Sequence, residues 1–161
     1  MINLSIIIPI YKESRNIQKL TKDITNYIDI KNYEILFIDD NSNDGTEEIL
    51  KNLSGKNKNI KYIIRKEGKI DLSKSCILGF ENSLFDNILV MDGDLQHDPS
   101  NINKLIEVYV AENADIVVGS RNLFNKKNEG LGLIRLTSSK FLILLISILL
   151  NKKTDDPMSG F

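Results

Sequence analysis

The chain has 161 residues, of which 42% are hydrophobic and 27% charged, and its net charge is -1. That is enough for one domain with a real core, and a composition so ordinary and so nearly neutral gives no reason to expect a nucleic-acid partner. The single cysteine, Cys76, excludes an internal disulfide framework and favours a cytoplasmic setting, and with His97 the only histidine no His-rich zinc site can be built.

The chain opens directly on a strand, with no secretory signal in front of it. Asn3 to Pro9 is a β-branched run ended by proline, a buried-strand pattern. Ile17, Leu20, Ile24 and Ile28 recur at helical spacing. Tyr33 to Ile38 is a second strand, stopped by Asp39-Asp40-Asn41-Ser42. Asp44 is placed to cap a helix whose inner face carries Ile49, Leu50 and Leu53. Ile60 to Ile64 reads as a third strand, and Cys76, Ile77, Phe80 and Leu84 mark a third helix. Asn87 to Met91 is a fourth, buried strand. Asp98-Pro99 starts a helix carrying Ile102, Leu105, Ile106, Tyr109 and Val110, and Asp115 to Val118 is a fifth strand. Strands alternating with helices predict an α/β domain with a Rossmann-like, mostly parallel sheet and helices on both faces.

The segment that follows is different. Between Ile116 and Thr154 the only acid is Glu129, against seven Lys and Arg residues, a balance that suits phosphate or an anionic membrane surface as well as a merely solvated face. Leu123 to Gly132 is the best candidate for a loop. Residues 133–150 read as a helix that is apolar nearly all round but shorter than the roughly twenty residues needed to cross a bilayer. It fits an interfacial, partner-facing or buried helix.

Asp92-Gly93-Asp94 follows the fourth strand directly. Two carboxylates one residue apart can converge on a hard cation such as Mg²⁺ or Mn²⁺, with glycine letting the backbone turn, and such an ion completes its shell with water and substrate phosphates. Taken alone, the tripeptide reads first as a strand-ending turn. Its company changes that. In an open parallel sheet ligands bind beyond the carboxyl ends of the strands. Those ends carry Tyr11 and Glu13, Asp39 and Asp40, Asp92 to Gln96, and Arg121. Neither a P-loop nor a G-x-G-x-x-G is present, so phosphates would be handled by metal and Arg.

In this order the motifs Ile7 to Glu13, Ile38 to Thr46, Met91 to His97, Gly119-Ser120-Arg121 and Asp156 to Phe161 resemble family 2 glycosyltransferases of the GT-A fold. Among those, the chain is most similar to the dolichyl- or polyprenyl-phosphate mannosyl- or glucosyl-synthases. The resemblance implies one catalytic domain over 1–161, continued in other members beyond the point where this chain stops, so that truncation at the C-terminus is expected. It implies that Pro9, Tyr11, Glu13, Ile38 and Asp40 hold base and ribose. Asp92, Gly93, Asp94 and Gln96 would lie at the diphosphate, with Asp92, Asp94 and Gln96 on Mg²⁺ or Mn²⁺. Arg121, Arg135 and Ser139 would face phosphates, and Asp94, Arg121 and Arg135 would act in catalysis. The donor would be a GDP- or UDP-linked sugar and the acceptor a polyprenyl or dolichyl phosphate at the cytoplasmic face of a membrane. A glycan hydroxyl acceptor, with Asp155 or Asp156 as base, and a non-catalytic nucleotide-sugar-binding module are the alternatives. Two stretches depart from the family. Asp71-Leu72-Ser73-Lys74-Ser75 replaces a Gly-Leu-Ser-type sequence, and Gly93 stands where alanine is common.

Overall fold

The computed structural model describes residues 2–119. Four strands, β1 (Leu4–Ile10), β2 (Tyr33–Asp39), β3 (Ile60–Ile64) and β4 (Ile88–Val90), form one sheet in the order β3-β2-β1-β4. Every pairing is parallel. Helices α1 (Ser14–Tyr27), α2 (Thr46–Lys56), α3 (Leu72–Glu81) and α4 (Ile102–Ala111) follow the strands, with a 3-10 turn at Pro99–Asn101 leading into α4. The fold class expected from the alternation is the one observed.

The strand order dictates where the helices go. From β1 through β2 to β3 the chain advances in one direction, and from β3 it returns across the sheet to β4. Right-handed crossovers then put α1 and α2 on one face and α3 on the other. The reversal leaves β1 and β4 side by side with their outgoing loops diverging, which is the switch point at which open α/β sheets form a crevice.

The centre of the sheet is apolar on both sides. Ile6, Ile7, Ile8, Ile35, Phe37 and Ile38 are fully buried, as are Ile17, Leu20 and Ile24 of α1 and Leu50 of α2. Pro9 lies inside β1 rather than ending it. Odd-numbered residues of β1 turn their backbone groups towards β4, as Ser5 N–H does to Asn87 O (2.9 Å) and Ile7 O does to Met91 N–H (3.1 Å). The register with β4 ends at Ile7–Val90, so the missing N–H of Pro9 falls where no partner strand remains.

Three expectations need correction. Asp115 to Val118 form no strand; one compact unit ends at Asp115 and the following residues are grouped with a second. β4 is an edge strand among the described residues, and Ile88 is exposed rather than buried. Of the four residues that mark the third helix, none is fully buried: the buried positions of α3 are Ser75 and Gly79, with Leu78 packed on the core and Cys76 half-buried. Ile77 and Phe80 are exposed, and Leu84 lies beyond the helix end. Small residues face inward because α3 lies directly on the sheet. A Cβ at Gly79 would come closer than 3.0 Å to Ile7 Cγ2 and within 3.4 Å of Ile38 Cγ1. The predicted helix at 133–150, the loop at 123–132, and Arg121, Arg135, Ser139, Asp155 and Asp156 lie outside the described residues.

Candidate functional site

The carboxyl ends of β1 and β2 are tied to one another by short polar links. Lys12 N–H donates to Ser42 Oγ (2.8 Å), and the Ser42 hydroxyl in turn donates to the buried Asp39 carboxylate. Ser14 N–H and Thr46 N–H both donate to Asp44, at 3.3 and 3.1 Å. Asp44 therefore serves the starts of two helices at once, although Gly45, at φ +90°, is the residue that turns the chain into α2. Burial pushes the Asp44 carboxyl up, but the hydroxyls of Thr46 and Ser14, with these two N–H bonds adding a smaller share, together outweigh burial and hold it below its ordinary pKa. Asp39 is different: burial pushes its carboxyl up, against its bonds to Ser42, with Asp44 and Asp40 adding to the rise.

Four of the five non-glycine residues with positive φ among the described residues lie on this rim: Lys12 (60°), Asn41 (56°), Asn43 (50°) and Leu95 (66°). Asparagine adopts that conformation readily, whereas for lysine and leucine it costs about 1–3 kcal/mol. The rim loops are thus bent where the strands end.

On the β1–β4 side, Tyr11 is exposed with Lys12 Nζ 5.1 Å from its ring centre. Glu13 is half-buried and accepts from Asn16 Nδ2 (2.5 Å). Gly93 brings the two strands together. A Cβ there would lie 2.5 Å from Ile10 Cγ2 and 3.6 Å from Glu13 Cγ. Its φ is not in the left-handed region. The glycine is required by close approach to β1, and not by the turn expected from the sequence.

Asp92 is half-buried, and its N–H donates to His97 Nδ1 (3.1 Å) while His97 Nε2 stands 3.7 Å from the carboxylate. Burial pushes the Asp92 carboxyl up; His97 opposes this and the charge of Asp94 adds to it. Asp94 accepts from Gln96 N–H (2.9 Å), closing a tight turn that Leu95 completes. Cys76 of α3 lies close enough for burial and the Asp92 charge to push its thiol up. An acid whose charge is under-compensated, beside a second acid, is what a divalent cation would relieve. The described residues contain no group of three or more His, Cys, Asp or Glu side chains able to hold a metal. Two carboxylates completed by Gln96, water and phosphate oxygens suit Mg²⁺ or Mn²⁺ and do not suit zinc. The donor set fits the ion.

On the β2 side the picture departs from expectation in two respects. Ile38 is fully buried among Ile7, Leu36, Ile63, Leu78 and Val90, so its side chain belongs to the core and not to a binding surface. Asp40 is itself nearly buried. One oxygen is paired with Arg65 and the other accepts from Asp71 N–H (2.7 Å). Arg65, at the carboxyl end of β3, was not singled out from the sequence, although its place directly after the strand is the same signal that marked the other rim residues.

The carboxyl edge of the sheet thus gathers Tyr11, Glu13, Asp40, Asp92 and Asp94 around the switch point, and comparison with known proteins identifies the family. The sequence model of glycosyl transferase family 2 matches residues 5–160, and the chain belongs to that family. It is 41% identical over 160 residues to the dolichol-phosphate mannosyltransferase of Pyrococcus furiosus, which covers 98% of this chain and 45% of that protein. The chain thus spans less than half the length of that relative. Among solved structures it resembles glucosyl-3-phosphoglycerate synthase from Mycobacterium tuberculosis in complex with Mn²⁺, UDP and phosphoglyceric acid (TM-score 0.70, 16% identity, 98% of this chain and 54% of that one). It also resembles the mannosyltransferase PcManGT from Pyrobaculum calidifontis in complex with GDP-Man and Mn²⁺ (TM-score 0.58, 17% identity, 73% and 34%). At these identities the structural likeness establishes the fold, GT-A.

Proposed function

We propose that this chain is the donor-binding part of an inverting glycosyltransferase that moves a sugar from a GDP- or UDP-linked donor to a polyprenyl or dolichyl phosphate at the cytoplasmic face of a membrane. The observation that carries the reading is the 41% identity, over nearly the whole chain, to a dolichol-phosphate mannosyltransferase. Among the described residues no helix is long and apolar enough to cross a membrane, and the segment we propose for attachment at the interface is 133–150.

In this reading Tyr11 and Glu13 line the crevice from β1, and Asp40 offers its carboxylate to ribose or base from β2. Asp92, Asp94 and Gln96 would hold Mg²⁺ or Mn²⁺, which supplies charge stabilisation at the diphosphate that leaves. Arg121 and Arg135, with Ser139, are the proposed phosphate contacts, whose positive charge would offset the charge that develops on the leaving diphosphate. A phosphate monoester acceptor has a second pKa of about 6 and is largely dianionic at pH 7, so it attacks without a general base. Three of the described rim acids are committed elsewhere. Asp39, Asp40 and Asp44 are each engaged in fixed hydrogen bonds.

Thermal unfolding with GDP, UDP and their sugar conjugates, with and without Mn²⁺, tests the donor half. A ligand at about 100 times its Kd stabilises by about 2.7 kcal/mol, a rise of about 5–10 °C for a chain of this size. Asp94→Ala should abolish the Mn²⁺-dependent part of that rise. If no nucleotide stabilises the wild type with Mn²⁺, the reading is wrong. Transfer to a glycan but not to polyprenyl phosphate would move the acceptor to a hydroxyl, and binding with no transfer by the full-length protein would leave a binding module.

A further inference from the structure

Arg65 is the most heavily committed cation among the described residues, and none of the site residues implied by the family resemblance includes it. Its side chain is only 9% exposed. The guanidinium pairs with one oxygen of Asp40, donates from Nη1 to Glu67 O (2.9 Å) and donates from Nη2 to Lys69 O (2.5 Å). Its own N–H donates to Asp39 O (2.8 Å), which keeps it in line with β2. The second Asp40 oxygen accepts from Asp71 N–H (2.7 Å), and Asp71 caps α3 by accepting from Lys74 N–H (3.1 Å). Gly68, at φ +85°, makes the turn that folds residues 66–70 back over the guanidinium. One planar group therefore fixes the Asp40 carboxylate, the loop beside it and, through Asp71, the start of α3.

We propose that Arg65 is a positioning residue of the donor-nucleotide site, holding the Asp40 carboxylate in one orientation and clamping the 66–70 loop against the β2 end of the crevice. The inference rests on the nucleotide-sugar reading above. A buried ion pair of this kind adds little net stability, because desolvation offsets the attraction. Its effect is geometric. Without Arg65 a nearly buried carboxylate loses its counter-charge and is free to swing towards water. Lysine does not replace it, since an ammonium has no fork to reach a carboxylate and two carbonyls at fixed angles. The action is local to the β2–β3 side. The proposed cation platform follows β4, on the opposite edge of the sheet from β3.

The experiment is calorimetric titration of GDP and of UDP, each with and without Mn²⁺, into the wild type, Arg65→Lys, Arg65→Met, Asp40→Asn and the Asp40→Asn/Arg65→Met double variant. Arg65→Met should weaken the nucleotide that binds by about tenfold or more, and Arg65→Lys should restore only a minor part of the loss. The factor by which Mn²⁺ tightens binding should be the same in Arg65→Met as in the wild type, which a general loosening of the fold would not preserve. Because Arg65 acts through Asp40, the double variant should bind no worse than Asp40→Asn, a non-additivity expected only of coupled groups. If Arg65→Met does not fold, Arg65→Lys carries the test. Wild-type affinity in both Arg65 variants overturns the inference alone. Losses that add in the double variant overturn it too, by showing that Arg65 does not act through Asp40. Failure of the wild type to bind either nucleotide overturns it together with the reading on which it rests.

Discussion

Replacing Gly93 by alanine isolates the contact that joins the two halves of the site. The new methyl carbon would lie 2.5 Å from Ile10 Cγ2, where apolar carbons ordinarily stay about 3.5–4.0 Å apart. Roughly 1 Å must be recovered. Ile10 is buried at the end of β1 and its carbonyl accepts from Asp40 N–H at 3.0 Å, so its backbone is held. Its Cγ2 is bonded to Cβ and cannot bend away as the end of a long side chain would. Over-packing of this kind costs about 1–3 kcal/mol. The alanine recovers about 0.4–1 kcal/mol by restricting the unfolded chain. The net expectation is a loss of about 1–2 kcal/mol, or about 2–8 °C in melting temperature for a domain of this size. The strain also displaces Asp92 and Asp94, so Mn²⁺-dependent nucleotide stabilisation should fall further than global stability does. Urea unfolding of Gly93→Ala, Ile10→Ala, Ile10→Val and the two doubles is the assay. Ile10→Ala removes the offending methyl, and in that background the alanine at 93 should cost nothing. Ile10→Val keeps a methyl in the same place and should give no relief. Equal stability of Gly93→Ala and the wild type, or equal costs in both backgrounds, would refute the argument.

Gly79→Ala sets helix propensity against packing: the helix gains about 1 kcal/mol, but the methyl would strike Ile7 beneath α3, at about 1–3 kcal/mol. A lower urea midpoint is expected, and a higher one would show that α3 can lift off the sheet without penalty. Glu34, buried at the amino end of β2, accepts from Ser5 Oγ (2.6 Å) and Leu84 N–H and faces Lys61 Nζ at 2.9 Å. Burial pushes its carboxyl up, but Ser5, Leu84 and Lys61 together outweigh burial and bring it below its ordinary value of 4.5. A folded-state pKa below the unfolded one contributes stability that is present above about pH 4.5 and is lost as the pH falls through the folded value. Glu34→Gln should therefore cost about 1–2 kcal/mol at pH 7 and progressively less on acidification, read from urea midpoints across pH 3–7. A mutant whose deficit does not shrink with falling pH would refute the assignment.

The parallel sheet and its rim were legible because they depend on short-range signals. The runs Ser5 to Ile8 and Ile35 to Ile38 are too continuously apolar for anything but central strands, and acids directly after strands have to lie on one edge. The inner face of α3 was not legible. Apolar periodicity points to Ile77 and Phe80, but close approach to the sheet selects Ser75 and Gly79, and no local pattern distinguishes a glycine chosen for closeness from one chosen for a turn. Gly93 was misread for the same reason. Ile38 was carried into the site by its neighbour Asp40, although the pleat keeps its side chain in the core. Arg65 was missed because its partners are two loop carbonyls and an acid 25 positions upstream, contacts that exist only once β3 has paired with β2.

The return of the chain from β3 to β4 has a kinetic side. β1 and β2 share seven register pairs, whereas β1 and β4 share three. The proposed base-binding wall can be assembled from residues 4–71, but the proposed cation platform arrives only when residues 88–94 dock on a strand laid down some eighty positions earlier. The β1–β4 ladder is the shortest of the three among the described residues, so late docking and early opening are expected of it. A nucleotide diphosphate reaching from Tyr11 to Asp94 would bridge that ladder from outside. Donor binding would then act as a latch on the last strand to join, and the Met91 amide, bonded to Ile7 O, is the hydrogen whose exchange with solvent would report the latch closing.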